Sequence, residues 1–267
     1  MPELPEVEAV CRRLRENLGE PHITAARILR PSVSRPQNPL SVQEGATGQS
    51  ITKVGRKGKH ILLDLSNGRT LHIHLRMTGN LYIIPDVRLH AAATRAIFEL
   101  EGGRGIVFED QRALGKIQLH KTGEIDALLK DVGPEAHEIS EADFRALARQ
   151  SKTPSKLFLM DQARVCGFGN IYAAEALFHA KIDPRRPLRG VSKPRLTGLL
   201  KTMVEMMDAA KESAYRAYAE PGYFAEAENF PLAVFGREGE PCHECARHIQ
   251  RIAQGGRSTY FCPKCQK

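Results

Sequence analysis

Residues 60–77 read HILLDLSNGRTLHIHLRM, and how this stretch is read decides the fold of the first half of the chain. HILLDL and TLHIHLRM carry strand signals, and Asn67-Gly68 between them supplies the positive φ angles that a tight hairpin turn needs. A second hairpin follows in RAIFELE, Gly102-Gly103 and RGIVFED. Upstream, Val7, Val10, Cys11, Leu14 and Leu18 recur at helical spacing. Pro5 suits the first turn of that helix, Glu6 and Glu8 suit its dipole, and Gly19 suits its end. To about residue 130 the chain therefore predicts a β-rich sandwich or barrel with a helix at its edge.

Downstream the pattern changes. DVGPEAHE (131–138) reads as a linker, and helical periodicity then runs through EADFRALARQ, SKLFLMDQARV, NIYAAEALFHA and the long segment 193–219. The predicted class is α+β in three parts: an N-terminal β-sandwich over 1–130, a helical domain over 137–232 and a small finger over 235–267. The formal net charge is +8, and the excess is uneven. Residues 1–130 hold 19 basic against 14 acidic side chains and residues 236–267 hold 6 against 3, so both ends are basic around a balanced middle. A polyanionic partner and a solvated basic surface both fit that distribution. No apolar run reaches membrane-spanning length.

Cys242, Cys245, Cys262 and Cys265 crowd the last 26 residues as C-x2-C, a gap of sixteen, and C-x2-C. Two such knuckles supply a closed tetrahedral thiolate set for one structural zinc, with no position left open for water. Gly255-Gly256 at the centre of the gap reads as the turn of a β-hairpin. Two disulfides are the alternative, and the absence of a secretory leader favours a reducing, cytoplasmic setting. His243 and His248 stand nearby, but four thiolates already complete the shell. In the helical part, Gly167 and Gly169 precede Asn170 at a helix start, with Lys152 and Lys156 upstream. That is either a phosphate clamp or an ordinary helical hairpin. His72 and His74 share a strand face, where packed or hydrogen-bonded histidines are favoured over a metal site.

The opening MPELPEVEAV has no basic region ahead of an apolar run and is not a signal peptide. Once Met1 is removed, Pro2 becomes a secondary amine at the chain's tip. This stretch, with RKGKHILLDL, HLRMTG, DQARVCGFGNIYAAEALF and GGRSTYFCPKCQ, resembles the formamidopyrimidine-DNA glycosylase family of base-excision-repair enzymes from end to end. The resemblance implies a helix-two-turn-helix domain in the middle and an N-terminal catalytic domain. It implies Pro2 as nucleophile toward the sugar, Glu3 as acid/base, Glu6 in support, and Lys59 and Arg257 as the groups associated with β- and δ-elimination. Met77, Arg112 and Leu114 match the residues that fill the void left by an everted nucleotide, and on the clamp reading Lys152, Lys156 and Asn170 are the expected DNA contacts. The implied partner is duplex DNA containing oxidised or abasic sites, met by a monomer that associates with the nucleoid and no membrane.

Four departures from the family pattern bear on base selection. Leu114 stands where an aromatic wedge is usual, and Arg76 stands where glycine is common. Ala93 replaces a frequent histidine, with His90 three residues earlier. KESAYRAYAEPGYF lacks a glycine- and threonine-rich stretch that caps an extruded oxidised guanine. Oxidised purines are the implied substrates, oxidised pyrimidines or hydantoins the alternative, and a non-catalytic damage-binding paralogue the third reading.

Overall fold

The structure is a computed structural model and describes residues 2–19, 21–217 and 230–267. By contacts the chain forms two compact units, residues 1–130 with 211–228 and residues 131–210 with 229–267, so the helical segments and the finger share one unit.

The first unit contains α1 (Leu4–Asn17), β1 (Ile23–Ile28), α2 (Pro39–Ala46) and seven further strands. These are β2 (Ile51–Lys57), β3 (His60–Leu65), β4 (Arg69–His74), β5 (Gly79–Ile84), β6 (Thr94–Leu100), β7 (Gly105–Asp110) and β8 (Lys116–Lys121), followed by the short α3 (Ile125–Leu128). They pair antiparallel into two four-stranded sheets, ordered β1-β6-β7-β5 and β2-β3-β4-β8. Period-2 alternation turns Ile61, Leu63, Leu71 and Ile73 of one sheet into the same core as Phe98, Leu100, Ile106 and Phe108 of the other. The five apolar positions read on α1 are all buried in that core. Gly19 ends α1 at φ 60°, and Arg104 caps its last turn by donating Nη2–H to the carbonyls of Asn17 and Leu18, each at 2.8 Å.

Both expected hairpins form. β3 and β4 pair Leu63 with Leu71 and His60 with His74, around Gly68 at φ 74°. The strand stops at His74, three residues short of the expected end. Arg76 enters the left-handed region at φ 57°, and the Gly79 N–H returns to the Leu75 carbonyl at 3.0 Å. Gly79 admits no side chain, since a Cβ there would lie 2.4 Å from that carbonyl oxygen.

The second unit holds α4 (Glu141–Gln150), α5 (Ser155–Leu159), α6 (Asn170–His179), the larger part of α7 (Lys193–Ala217) and the hairpin β9 (Gln250–Gln254) and β10 (Arg257–Phe261). The helix expected over 155–165 ends early, at Leu159. The Gln162 side chain competes for the backbone: its Nε2 donates to the carbonyls of Met160 and Phe168, and its Oε1 accepts the Gly167 N–H. Glu175, buried on α6, accepts the N–H groups of Ala233, Val234 and Phe235 at 2.7, 3.0 and 2.7 Å, which ties the approach to the finger onto that helix. Residues 218–224 of the KESAYRAYAEPGYF segment lie outside the described residues.

Candidate functional site

At the start of α1, Pro2, Glu3 and Glu6 are all buried. The Glu6 carboxylate accepts the Glu3 N–H at 2.8 Å, satisfying one of the donors that a helix start leaves open. The same helix is braced to the β2–β3 turn. Arg56 donates Nε–H to Glu8 at 2.7 Å and Nη1–H to the Gly58 carbonyl at 2.8 Å, fixing the turn that carries Lys59. The Arg56 and Arg15 guanidiniums hold the Glu8 carboxyl below its usual range although burial pulls it the other way. Lys59 itself is buried, at 5% exposure. The pairing of Glu8 with Arg56 was not legible in the sequence because it spans 48 positions.

The three expected void-fillers lie on two loops knotted together by one buried carboxylate. Asp110 accepts the Thr78 hydroxyl at 2.5 Å, the Arg112 N–H at 3.2 Å and the Gly115 N–H at 2.7 Å. This joins the 75–79 loop to the 110–115 loop. Above the knot Met77 and Leu114 stand exposed at 39% and 42%, with Arg112 exposed beside them. Both are thus among the exposed large apolar side chains, and the loops that present them are fixed from below by Asp110. Ala93 is half-buried and its carbonyl accepts the Asp110 N–H, while His90 is exposed.

His60, His72, His74 and His120 form one array on the outer face of the β3-β4-β8 strands. His60 Nδ1 and His72 Nε2 are 2.8 Å apart, His74 meets His60 edge-on, and His120 lies against His72. Burial first, then neighbouring cations and imidazoles, lowers His60 and His72 to about 4 and His74 to about 3. The array is packed and hydrogen-bonded. Among the described residues, the four cysteines are the one cluster of metal-ligating side chains that converges.

In the second unit Gly167 takes φ 99° and Asn170 begins α6. Lys152 is exposed. Lys156 is corrected from an exposed phosphate contact to a fully buried side chain. Its ammonium donates to Asn170 Oδ1 at 2.6 Å, the Ser258 carbonyl at 2.7 Å and Thr259 Oγ1 at 2.8 Å, using all three hydrogens. The lysine holds the Asn170 amide by its oxygen and leaves the NH2 group as the donor. Arg257 is exposed at the start of β10, just after Gly255 and Gly256 at φ 55° and 72°. Arg251 is occupied by an ion pair to Glu238 at 2.6 Å.

The four finger sulfurs all lie within 4.8 Å of one another, with Cys242–Cys265 at 3.9 Å and Cys245–Cys262 at 3.5 Å. Sulfurs each ~2.3 Å from a tetrahedral zinc would sit about 3.8 Å apart, so the set fits one ion. Burial pushes the Cys262 and Cys265 thiols upward, which a divalent cation would reverse. No helix among the described residues is long and apolar enough to cross a membrane.

Comparison with known proteins gives this combination, a four-cysteine finger, a helical unit with a glycine turn and a buried Pro-Glu pair at the N-terminal helix, its class: a zinc-finger DNA glycosylase of base excision repair. Three family profiles match in chain order: Formamidopyrimidine-DNA glycosylase N-terminal domain over 1–117, its H2TH domain over 132–218, and Zinc finger found in FPG and IleRS over 239–267. A formamidopyrimidine-DNA glycosylase of Desulforamulus reducens is 38% identical over 100% of this chain and 99% of its own, and one of Ruegeria pomeroyi is 37% identical over the whole of both. The Lactococcus lactis enzyme bound to DNA with an abasic site superposes with a TM-score of 0.90 at 27% identity, over 99% of each chain. The chain belongs to the formamidopyrimidine-DNA glycosylase family.

Proposed function

We propose that this protein excises oxidised purines, including formamidopyrimidines, from duplex DNA and then nicks the strand as an AP lyase. The relative from Lactococcus lactis was captured with DNA holding a formamidopyrimidine and with an abasic site, which supports that substrate class. The observation that carries the reading is the buried Pro2-Glu3 pair, braced through Glu8 and Arg56 to the turn holding Lys59.

With Met1 removed, Pro2 is a secondary amine with a reference pKa of about 7.7–8.0, partly unprotonated near neutrality. Its lone pair attacks C1′, the base departs, and Glu3 protonates the ring oxygen as the sugar opens to an iminium. The iminium acidifies the C2′ proton, whose loss expels the 3′ phosphate; a second elimination expels the 5′ phosphate. Lys59 and Arg257 serve these two eliminations. The target leaves the stack to reach Pro2, and Met77, Arg112 and Leu114 occupy the gap. Lys152 and Asn170 bind phosphate, and Lys156 acts through Asn170. Residues 1–130 supply the chemistry, and 137–232 with the finger at 235–267 grip the duplex. The protein acts as a monomer in the cytoplasm, on the nucleoid.

Borohydride reduction in the presence of lesion-bearing duplex tests the reading. The expected product is a covalent adduct that disappears on Pro2→Gly with Met1 retained or on acetylation of the terminus; no adduct with any oxidised or abasic duplex rules the mechanism out. A second reading, toward oxidised pyrimidines or hydantoins, is motivated by the lack of a glycine- and threonine-rich capping stretch in KESAYRAYAEPGYF. Single-turnover rates over a lesion panel separate the two.

A further inference from the structure

The connection between α6 and α7 concentrates charge inside the balanced middle of the chain. Residues 185–195 read RRPLRGVSKPR, five cations with no carboxylate among them. Their backbone is fixed on α5 and on the end of the finger. The Ser155 N–H donates to the Arg186 carbonyl at 2.8 Å and the Ser155 hydroxyl to the Asp183 carbonyl at 2.9 Å. The Lys267 N–H donates to the Lys181 carbonyl at 3.1 Å. Leu188 is fully buried and opens the tight turn Leu188–Gly190, which the Val191 N–H closes on the Leu188 carbonyl at 2.9 Å. The arginines are therefore presented from a set frame.

Those side chains surround a cavity of about 280 Å³. Its inward lining is apolar, with Ile182 and Val191 buried and Pro187 half-buried, while Arg186, Arg189 and Arg195 stand exposed at its mouth. Asp183, the carboxylate nearest in sequence, is already taken by Arg185, which donates Nε–H at 2.9 Å and Nη2–H at 2.7 Å. Arg186 adds to the pull that lowers this carboxyl. Neither Arg186 nor Arg189 has a side-chain hydrogen bond or ion pair among the described residues. Arg195 donates Nη2–H to main-chain oxygens of Lys181 and Lys267, at 2.5 and 3.3 Å, so it is oriented without meeting a side-chain carboxylate.

Shape and chemistry together select the occupant. The volume falls just below the ~300–1,000 Å³ of small-molecule sites and has room for a side chain rather than a cofactor. Duplex DNA offers phosphate and sugar to a basic surface and no apolar group to fill a hollow. Unstacked bases seek aromatic side chains, and the lining has none. A peptide supplies both parts, carboxylates for the arginine forks and an apolar side chain for the hollow. We propose that this cavity docks an acidic segment of a partner protein, seating one apolar side chain against Ile182 and Val191 while carboxylates meet Arg186, Arg189 and Arg195. None of these residues belongs to the chemistry or the DNA contacts assigned above, so the docking surface stands or falls apart from the glycosylase reading.

Fluorescence anisotropy with a fluorescein-labelled peptide of alternating aspartate and leucine tests the proposal, beside aspartate–serine and asparagine–leucine counterparts. The wild-type protein is expected to bind the first peptide, the second about tenfold more weakly and the third not measurably. Arg186→Ala and Arg189→Ala should each weaken the first by about tenfold. Gly190→Leu should block it, because Gly190 lines the cavity outside the left-handed region and a Cβ there meets nothing within 4 Å. All three variants should keep the melting temperature within about 2 °C of wild type and the wild-type affinity for duplex carrying a tetrahydrofuran abasic site. No binding of the aspartate–leucine peptide overturns the proposal, as does equal affinity for the aspartate–serine peptide or unchanged binding in the variants. Weaker duplex binding by Arg186→Ala and Arg189→Ala, with a shallower slope of log K against log salt, assigns the arginines to DNA and overturns it too.

Discussion

Lowering the pH from 7 to 5 should destabilise the first unit through its histidine array, well before the carboxylates titrate. In the unfolded chain each imidazole titrates near 6.5, whereas in the fold His60 and His72 are held at about 4 and His74 at about 3. Above 6.5 both states are neutral and the array contributes no pH dependence. Below 6.5 the unfolded chain takes up protons that the folded chain refuses, so stability falls as pH falls until the folded groups titrate in turn. Each histidine costs about 1.36 kcal/mol per pH unit, so about 2 kcal/mol at pH 5 and about 6 kcal/mol for the three together. His72→Gln preserves a hydrogen-bonding side chain at the position 2.8 Å from His60 and removes one titration. Urea unfolding at pH 7, 6 and 5 should show the variant's stability falling less steeply than wild type, by about 1.36 kcal/mol per pH unit. Parallel curves for the two proteins would refute the claim that His72 is neutral because the fold keeps it so.

Met77→Ala and Leu114→Ala should leave the melting temperature within about 2 °C, since both side chains are exposed, while slowing single-turnover base excision at least about tenfold. Lys156→Met should cost about 3 kcal/mol or more by orphaning the Asn170, Ser258 and Thr259 acceptors, read by chemical denaturation, and should weaken abasic-site binding. Zinc removal by a strong chelator should expose residues 239–267 to protease and release one equivalent of metal, because zinc-binding free energy is local folding free energy. Asp110→Ala should release the Thr78, Arg112 and Gly115 donors together and lower both stability and excision, measured on the same preparation.

What was legible in the sequence followed from local period and spacing. The α1 stripe, the Asn67-Gly68 and Gly102-Gly103 hairpins and the paired knuckles each declare themselves within about twenty residues, since a repeat of 3.6 or 2 and a ligand gap are local properties. Side-chain intervention from a distance was not legible. Gln162 ends α5 by bonding carbonyls eight residues apart, Arg56 reaches from β2 to Glu8 on α1, and Lys156 spends its charge on Thr259. Lys156 shows why a basic residue beside a glycine turn is a poor guide to phosphate binding: motif spacing carries residue type, whereas the role depends on which atoms remain unpaired after folding.

That distinction divides the labour across the site. Four of the groups assigned to touch DNA (Met77, Arg112, Leu114, Asn170) are exposed or half-buried, and they stand on buried polar residues whose bonding capacity is turned inward. Asp110 carries the wedge loops and Lys156 carries Asn170, while Glu175 holds the strand of chain leading to the finger. A buried ion costs several kcal/mol in desolvation unless its partners have good geometry, so these three positions tolerate no loose arrangement. Their rigidity passes to the exposed tips, which then meet the helix without losing much conformational entropy on binding. Replacing a tip should therefore change binding or rate at nearly constant stability, whereas replacing a holder should change both in proportion. A holder variant with normal stability and lost activity would mean that the buried residue reaches the DNA itself, against its burial in the fold.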